Sequence, residues 1–189
     1  RNTFDIQEVP EKFIVHVSAD NRYKLFVNGQ QASFGPARGT LMEWRYETID
    51  IAPLLVKGNN VIAAEVISFG KYKPHFLQSF KTAFIFQSEN PEFACLNTGN
   101  GEWKVYKNPA YTPLPYSHVP GGLYAVGPGD KVDGRLYPWG WKKTGFQDKE
   151  WATPAKLGKG HGRGVMWGNP WHLVKREIPF LEQKQERIL

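Results

Sequence analysis

Cysteine and long apolar runs are scarce in this sequence of 189 residues, which has one cysteine, Cys95. A single cysteine excludes an internal disulfide and a zinc site built from several thiolates. No stretch of about 18 apolar residues occurs, so the sequence predicts no membrane-spanning helix. Because Cys95 stands among apolar neighbours at 93–96, we expect it to be a small buried core residue.

Signatures of catalysis and of metal binding are also missing. The sequence has no Gly-x-Ser-x-Gly elbow, no His-Glu-x-x-His pair and no phosphate loop, and its five histidines are scattered without ligand spacing. We therefore expect no cofactor. No acidic loop follows the EF-hand pattern, but a structural calcium held by backbone carbonyls would leave no trace in sequence and stays open.

Excess charge is confined to one part of the chain. Residues 1–100 carry equal numbers of acidic and basic side chains, so the whole net charge of +6 lies in 101–189. Part of it is the segment "KLGKGHGR" at 156–163, whose glycine spacing predicts a solvated loop. Neither a basic helix nor a nucleic-acid-binding motif is present, and we expect no nucleic-acid partner.

Alternating apolar residues are the clearest positive signal and predict several β-strands. In "KFIVHVSA" at 12–19 and "RYKLFVNG" at 22–29, apolar side chains recur at every second position. Asn28-Gly29 predicts a tight hairpin turn, because both residues tolerate positive φ. Three further segments predict strands because they are rich in β-branched and aromatic residues: "NVIAAEVISF" at 60–69, "TAFIFQSE" at 82–89 and "EWKVYK" at 102–107.

Helical patterns are scarce by comparison. A single turn is predicted in "IAPLLVKGNN" at 51–60, stopped by Gly58. Short strands separated by turn signals predict an all-β sandwich.

A long Pro- and Gly-rich stretch, 108–140, interrupts this pattern. Proline and glycine suppress regular structure, but the five aromatic residues of the stretch argue against disorder. We predict an ordered loop insertion laid over the sandwich, and ordered loops of this length are usually functional.

Several segments, taken in order, resemble one known family. They are "VSADNRYKLFVNGQQASFGPARG", "EWRYETIDIAPLLVKGNNVIAAEV", "PWGWKKTGFQDKEWATPAKLG" and "NPWHLVKREIPFLE". Together they resemble the N-terminal region of bacterial α-L-rhamnosidase-like enzymes of glycoside hydrolase family 78. The resemblance covers roughly residues 12–180.

The resemblance implies a galactose-binding-like jelly-roll β-sandwich that is an accessory part of a larger enzyme. In such parent enzymes, catalysis lies in a separate helical (α/α)₆ barrel, so this barrel is the expected partner of the module. Carbohydrate is a second possible partner that the resemblance leaves open. The chain begins with Arg1 rather than with Met or a signal peptide, so we expect a mature or excised piece. We predict one module at 1–180, a linker at 181–189, and a periplasmic or extracellular location in a bacterium.

Two groups of residues are candidates for carbohydrate binding. Asp20 and Asn21 stand between two predicted strands, where we expect them mainly to turn the chain over 18–22 and secondarily to meet a sugar or a neighbouring domain. The second group consists of aromatic residues placed among Gly and Pro, whose rings could stack on the C–H face of a sugar. Its members are Tyr137, Trp139, Trp141 and Trp167.

Glycoside hydrolysis requires two carboxyl groups that flank the scissile bond. Asp130 and Asp133 are close in sequence, and so are Asp148 and Glu150, but neither spacing indicates the facing geometry. We predict no catalytic residues in this chain. The leading interpretation is a non-catalytic module of an α-L-rhamnosidase-like enzyme acting on plant or microbial polysaccharide. An independent lectin-like module is the alternative, and a small complete glycosidase is the third hypothesis.

Overall fold

The computed structural model describes residues 1–114, 129–164 and 170–182. These residues form eleven strands and three short 3₁₀ turns, and no α-helix occurs among them. The strands are β1 Asn2–Ile6, β2 Ile14–Asp20, β3 Arg22–Val27, β4 Gln30–Gly35, β5 Trp44–Asp50, β6 Gly58–Ile67, β7 Ala83–Ser88, β8 Tyr111–Pro113, β9 Asp130–Val132, β10 His161–Gly162 and β11 His172–Lys175. The 3₁₀ turns are Ala52–Leu54, Gly70–Tyr72 and Pro91–Leu96.

The strands build two main sheets, which pack face to face. One sheet has the order β1-β6-β3-β4 and the other has the order β10-β11-β5-β2-β7, while β8 and β9 pair separately. Pairing is antiparallel except where β11 lies between β10 and β5 in parallel. The predicted all-β sandwich is confirmed, because each sheet buries an apolar face that needs the other to cover it.

The core between the sheets follows the alternation of the sequence. Val15 and Val17 of β2 and Leu25 and Val27 of β3 are fully buried in one cluster. Tyr23 joins them through its ring, and its hydroxyl is hydrogen-bonded. The predicted faces of both strands are therefore confirmed.

The hairpin between β3 and β4 is also as predicted. Asn28 and Gly29 have φ of 50° and 84°, so both lie in the left-handed region that a two-residue turn requires. The Asn28 side chain accepts a hydrogen bond from the Val61 backbone at 3.0 Å and donates to the Leu54 carbonyl at 3.0 Å.

We predict that Gly29→Val lowers the free energy of unfolding by about 1–3 kcal/mol, because a β-branched residue is forced into positive φ. A urea titration of both proteins measures the change. Gly162→Val is the control and should be close to neutral, because Gly162 is exposed in β10, its φ lies outside the left-handed region, and an added side chain meets open space. A Gly29 variant as stable as the original protein would contradict the account of this turn.

The region between β2 and β3 differs from the prediction. The expected five-residue turn over 18–22 is wrong, since β2 continues to Asp20 and β3 begins at Arg22. These two strands belong to different sheets, so the chain crosses from one layer to the other at Asn21. The peptide bond that joins Asp20 to Asn21 is cis.

Two other predictions on the main body are wrong. Cys95 is exposed, because the 3₁₀ turn Pro91–Leu96 directs Leu96, rather than Cys95, into the core. The segment at 102–107 is no strand, and Val105 forms a single bridge to Ala152. Buried Trp103 accounts for the apolar pattern that suggested a strand there.

A third layer covers the outer face of the first sheet. Phe26 of β3 and Val61 and Ala63 of β6 point away from the main core and form a second cluster with Trp141. Residues 137–151 supply that cover, so residues 60–63 of β6 are buried on both faces of the sheet. This explains why the sequence at 60–64 reads as a nearly continuous apolar run.

The described parts of the predicted insertion, 108–114 and 129–140, include the β8–β9 ladder and the start of the third layer. Residues 115–128 of the insertion lie outside the described residues. The module boundary at 180 and the linker at 181–189 stay predictions. Within the described ranges, no helix is long and apolar enough to cross a membrane.

Candidate functional site

The carboxylate of Asp20 is the centre of a buried polar cluster. Only 1% of Asp20 is exposed, and its two oxygens accept five hydrogen bonds. Apart from neighbouring Asn21, the donors are Ser79 Oγ at 2.7 Å, the backbone N–H of Phe80 at 2.8 Å and of Lys81 at 3.3 Å, and Trp171 Nε1 at 3.0 Å. One side chain thus ties the 79–81 loop and the distant Trp171 to the point where the chain changes sheets.

Asn21 completes this crossover. Its side chain donates to Asp20 Oδ1 at 2.8 Å and accepts from the Phe69 backbone at 3.0 Å, and its own N–H donates to the Ile67 carbonyl. Both predicted sugar contacts are buried and bonded within the chain. Sugar binding by Asp20 and Asn21 stays a prediction, and it requires the covering loop or Trp171 to move.

Glu47 forms a second buried carboxylate cluster, on β5. It is 0% exposed and accepts hydrogen bonds from the Ala37 backbone at 2.7 Å and from Tyr23 Oη at 3.1 Å. Arg176 Nη1 lies 3.4 Å from it and is itself nearly buried. Burial raises the pKa of Glu47, although these three donors oppose the shift, and burial likewise raises the pKa of Tyr23.

Glu47 and Arg176 were not predicted from the sequence, although one signal for Glu47 was present. Glu47 stands two residues before Ile49 in β5, and both pair with core-facing valines of β2. An acidic residue on the apolar face of a strand needs a buried partner. The identity of that partner could not be read from the sequence, since Arg176 is 129 residues away.

The raised pKa of Glu47 predicts a defined pH dependence. A carboxyl group whose folded pKa exceeds its ordinary value of 4.5 favours the folded state below that value, and this contribution is lost as the pH rises through the folded pKa. We expect the stability of the original protein, relative to Glu47→Gln, to fall as the pH rises above about 4.5. Urea titrations at a series of pH values measure the difference, and a difference that instead grows with pH would contradict the raised pKa.

Both clusters hold the same piece of chain, residues 171–182, which we name the exit segment. Trp171 bonds to Asp20, β11 pairs with β5, and Arg176 pairs with Glu47. Beyond the strand, Arg176 donates to the carbonyls of Ile178 and Pro179 and lies over the ring of Phe180 at 4.7 Å.

The end of the exit segment presents apolar side chains to solvent. Ile178 and Phe180 are exposed and Leu181 is 70% exposed. Phe180 and Leu181 border a groove of about 270 Å³ at the open edge of the sandwich, between β4 and β5. The remaining residues that line the groove are Gln31, Ala32, Ser33, Phe34 and Ile49.

A separate feature, the aromatic row, consists of Tyr111, Tyr137 and Trp139. The centroids of Tyr111 and Tyr137 are 6.3 Å apart, and those of Tyr137 and Trp139 are 4.8 Å apart. Trp139 is 73% exposed, and its indole N–H donates to the Gly134 carbonyl at 2.8 Å. The expectation that Trp139 faces solvent is therefore met, and Tyr111 is a neighbour that the sequence analysis did not include.

Trp141 differs from its prediction. It is 6% exposed and packs edge-to-face on Phe26 in the third layer, so it cannot present its ring to a sugar. Its Nε1 donates to the Tyr137 hydroxyl at 3.0 Å and thereby anchors the aromatic row from below. Trp167 lies outside the described residues.

Among the residues that the structure describes, the two predicted groups lie in different parts of the fold. Asn21 precedes β3, whereas Phe26, on which the third layer packs, lies five residues further along that strand. At about 3.3 Å per residue the two positions are roughly 16 Å apart. The crossover lies in the interior and the aromatic row lies on the surface.

Two of the four carboxylates that the sequence offers as catalytic candidates, Asp133 and Asp148, are engaged by cations. Asp133 is held by Arg135 through two hydrogen bonds, which lower the pKa of Asp133. Asp148 lies 3.0 Å from Arg1 Nη1 and 3.3 Å from Lys104 Nζ. In the part of the chain that the structure describes, no group of three or more His, Cys, Asp or Glu could hold a metal ion.

Comparison with known proteins identifies a family. The model of the "Alpha-L-rhamnosidase N-terminal domain" family matches residues 8–162. No curated protein matches the chain in sequence.

Solved structures with the same fold agree with that match. A family 78 (GH78) rhamnosidase of Bacillus sp. GL1 is 28% identical with a TM-score of 0.75, and the alignment covers 95% of this chain and 18% of that one. The α-L-rhamnosidase of Dictyoglumus thermophilum is 20% identical with a TM-score of 0.59, covering 94% and 18%. The Streptomyces avermitilis α-L-rhamnosidase, solved with L-rhamnose, is 20% identical with a TM-score of 0.57, covering 79% and 15%. At these identities the last two show the fold alone, and this chain spans less than a fifth of each of the three.

Proposed function

The chain belongs to the α-L-rhamnosidase N-terminal domain family, and from this premise we propose that it is a non-catalytic accessory module of an α-L-rhamnosidase-type glycoside hydrolase. Its proposed task is to hold the following part of that parent protein, including a catalytic (α/α)₆ barrel, in a fixed position. We extend the proposal to plant or microbial polysaccharide as the substrate of the parent and to the periplasm or the outside of a bacterium as its location.

The observation that carries the proposal is the attachment of the exit segment. Two carboxylates from different strands, Asp20 and Glu47, bind it at Trp171 and Arg176. Attachment at two buried points fixes the direction of the segment relative to the sandwich. A single exposed contact would leave that direction variable. A following domain would inherit that direction.

The apolar end of the exit segment supports the same role. Ile178, Phe180 and Leu181 are exposed beside a groove of the sandwich. Exposed apolar residues that adjoin one another mark interaction surfaces more often than isolated ones do. We propose that these three residues contact the following part of the parent.

The engaged carboxylates support the non-catalytic assignment. A glycosidase needs one carboxyl group whose pKa is raised so that it can donate a proton, together with a second group across the scissile bond. Asp133 has a lowered pKa, and Asp148 is paired with two cations. Glu47 has a raised pKa, but it is fully buried and no substrate reaches it.

The support role can be tested in the parent protein by placing Phe180→Ser and Leu181→Ser together. If these side chains are buried against the following domain, their loss removes about 1.5–3 kcal/mol of favourable burial for each residue. We expect the thermal midpoint of the catalytic domain to fall, as measured by calorimetry, while kcat per folded molecule is retained.

Val56→Ser is the matched control, because Val56 is an exposed apolar residue in the connection between β5 and β6. It should leave the parent unchanged. If the double variant melts at the same temperature as the parent, or if the control lowers the midpoint equally, the proposed contact surface is wrong.

A further inference from the structure

Two loops, 36–43 and 68–82, build one end of the sandwich, and we name them together the cationic loop surface. They join β4 to β5 and β6 to β7. Because β4 and β6 both run antiparallel to β3, the two strands end at the same end of the sandwich. The cationic loop surface is therefore assembled by the topology of the sheets from distant parts of the sequence.

The apolar end of the exit segment lies away from this surface. Phe180 and Leu181 border a groove that includes Ile49, which is five residues beyond the start of β5 at Trp44. At about 3.3 Å per residue, that is roughly 16 Å along the strand. The contact proposed for the following domain therefore does not account for the cationic loop surface.

The charge of this surface is almost entirely positive. Arg38, Lys71, Lys73 and Lys81 supply four positive charges and Glu43 supplies one negative charge, so the two loops have a net charge of 4 − 1 = +3. All four cations are exposed. The Glu43 carboxylate is paired with two arginines from outside the loops. A negatively charged partner is the one that this surface would attract.

The opposite end of the sandwich has the reverse charge. Three connections at that end hold two lysines and four acidic residues, for a net charge of 2 − 4 = −2. These connections are 7–13, 51–57 and 89–97. The module is therefore an electric dipole, and a negatively charged surface would orient it with the cationic loop surface foremost.

Large apolar side chains project from among the cations. Met42, Phe76 and Phe80 are 60%, 43% and 58% exposed. Arg38 of the first loop donates to the Phe76 carbonyl at 3.1 Å, so the two loops are bonded to each other. Buried Asp20 accepts from the backbone N–H of Phe80 at 2.8 Å and fixes the second loop from within. The exposed apolar side chains thus stand on loops that are anchored to the fold.

A lipid interface fits this combination better than a protein or a nucleic acid does. The core of a protein interface is depleted of lysine, and this surface has three lysines. A nucleic acid stacks its bases on free aromatic faces, but the Arg38 guanidinium carbon lies over the ring of Phe76, 4.4 Å from its centroid. At a membrane, aromatic side chains enter the boundary between headgroups and acyl chains while lysines meet anionic headgroups.

From this arrangement we propose that the cationic loop surface binds the surface of an anionic lipid membrane. Met42, Phe76 and Phe80 enter the headgroup region, and the four cations contact the phosphate groups of anionic phospholipids. Each cation at such a surface strengthens binding by about fivefold. In this orientation the acidic end of the module faces away from the membrane. The binding is independent of the support function.

Co-sedimentation of the purified chain with lipid vesicles tests the proposal. Vesicles of phosphatidylglycerol mixed with phosphatidylcholine are anionic, and vesicles of phosphatidylcholine alone are neutral. We expect the chain to bind the anionic vesicles about tenfold tighter or more, and added salt to weaken that binding by screening. Lys71→Gln with Lys73→Gln should weaken it by about thirtyfold. Phe76→Ser should weaken it by about tenfold, because less apolar surface enters the interface.

Lys12→Gln with Lys57→Gln is the matched control, because it removes the same charge from two exposed lysines at the opposite end. It should leave vesicle binding unchanged, and far-ultraviolet circular dichroism checks that all variants stay folded. The proposal is overturned if anionic vesicles are not bound, if neutral vesicles are bound equally well, or if the control weakens binding as much as the Lys71 and Lys73 variant does.

Two further outcomes also decide against the membrane. If Phe76→Ser binds anionic vesicles as tightly as the original chain, no aromatic side chain enters the interface and the proposal is wrong. A single-stranded oligonucleotide is the second probe, measured by fluorescence anisotropy. If the chain binds the oligonucleotide and leaves the anionic vesicles unbound, the cationic loop surface is a nucleic-acid site instead.

Discussion

Replacing Asp20 with alanine is expected to cost on the order of 4 kcal/mol of folding free energy, or to prevent folding altogether. The substitution removes the carboxylate that accepts five hydrogen bonds. Its donors lose their acceptor, among them the backbone N–H of Phe80 and the indole N–H of Trp171. Each buried donor that loses its partner costs about 1–3 kcal/mol, and the costs within one cluster are not additive. Urea unfolding followed by tryptophan fluorescence measures the change.

Two further variants test the role of the Asp20 cluster even if Asp20→Ala does not fold. Trp171→Phe removes one of the donors and should cost less, about 1–2 kcal/mol. Asp5→Ala changes an exposed aspartate of β1 and should be close to neutral. If Asp20→Ala is no more destabilising than Asp5→Ala, the buried cluster does not hold the fold.

Replacing Arg176 with methionine is expected to cost about 3 kcal/mol at neutral pH, because it leaves the buried carboxylate of Glu47 without its cation. Methionine keeps the aliphatic part of the arginine side chain, while the bonds to the carbonyls of Ile178 and Pro179 are also lost. Adding Glu47→Gln to Arg176→Met should recover part of the loss, since no buried charge then remains. Chemical denaturation of the four proteins completes the cycle.

Arg163→Met is the control for this cycle. Arg163 pairs with Glu43 at the surface, where ion pairs contribute little, so its loss should be close to neutral. If the double variant is as unstable as the sum of its single variants, Glu47 and Arg176 do not act as a pair.

The parts of the fold that the sequence predicted are those determined by neighbouring residues. Alternation in β2 and β3 placed Val15, Val17, Leu25 and Val27 in the core, because side chains of a strand point to opposite faces in turn. The turn at 28–29 followed from the tolerance of its residues for positive φ.

The parts that the sequence did not predict depend on contacts between distant residues. Trp141 lies among Gly and Pro, and local chemistry suggested an exposed ring, but the outer face of β6 buries it. Asp20 and Asn21 are common turn residues, yet the hydrogen bond of Asp20 to Trp171 spans 151 residues of sequence. Local propensity carries no information about such partners.

The residues of the candidate site also divide into those predicted from neighbouring residues and those that depend on distant contacts. The prediction of an exposed aromatic group was right for Trp139, because Pro138 and Gly140 on either side prevent regular packing. The prediction could not include Tyr111, which approaches Tyr137 only because the row is assembled across a long connection. Glu47 and Arg176 were missed because an ion pair in the core is defined by the register of β5 and β11.

The most direct test of the accessory assignment is the release of p-nitrophenol from p-nitrophenyl α-L-rhamnoside, followed by absorbance. The purified chain of 189 residues is compared with its parent protein at equal molar concentration. The account predicts turnover by the parent and none above the buffer rate by the chain. Turnover by the chain that survives repeated purification and disappears with Asp133→Asn or Asp148→Asn would contradict the account.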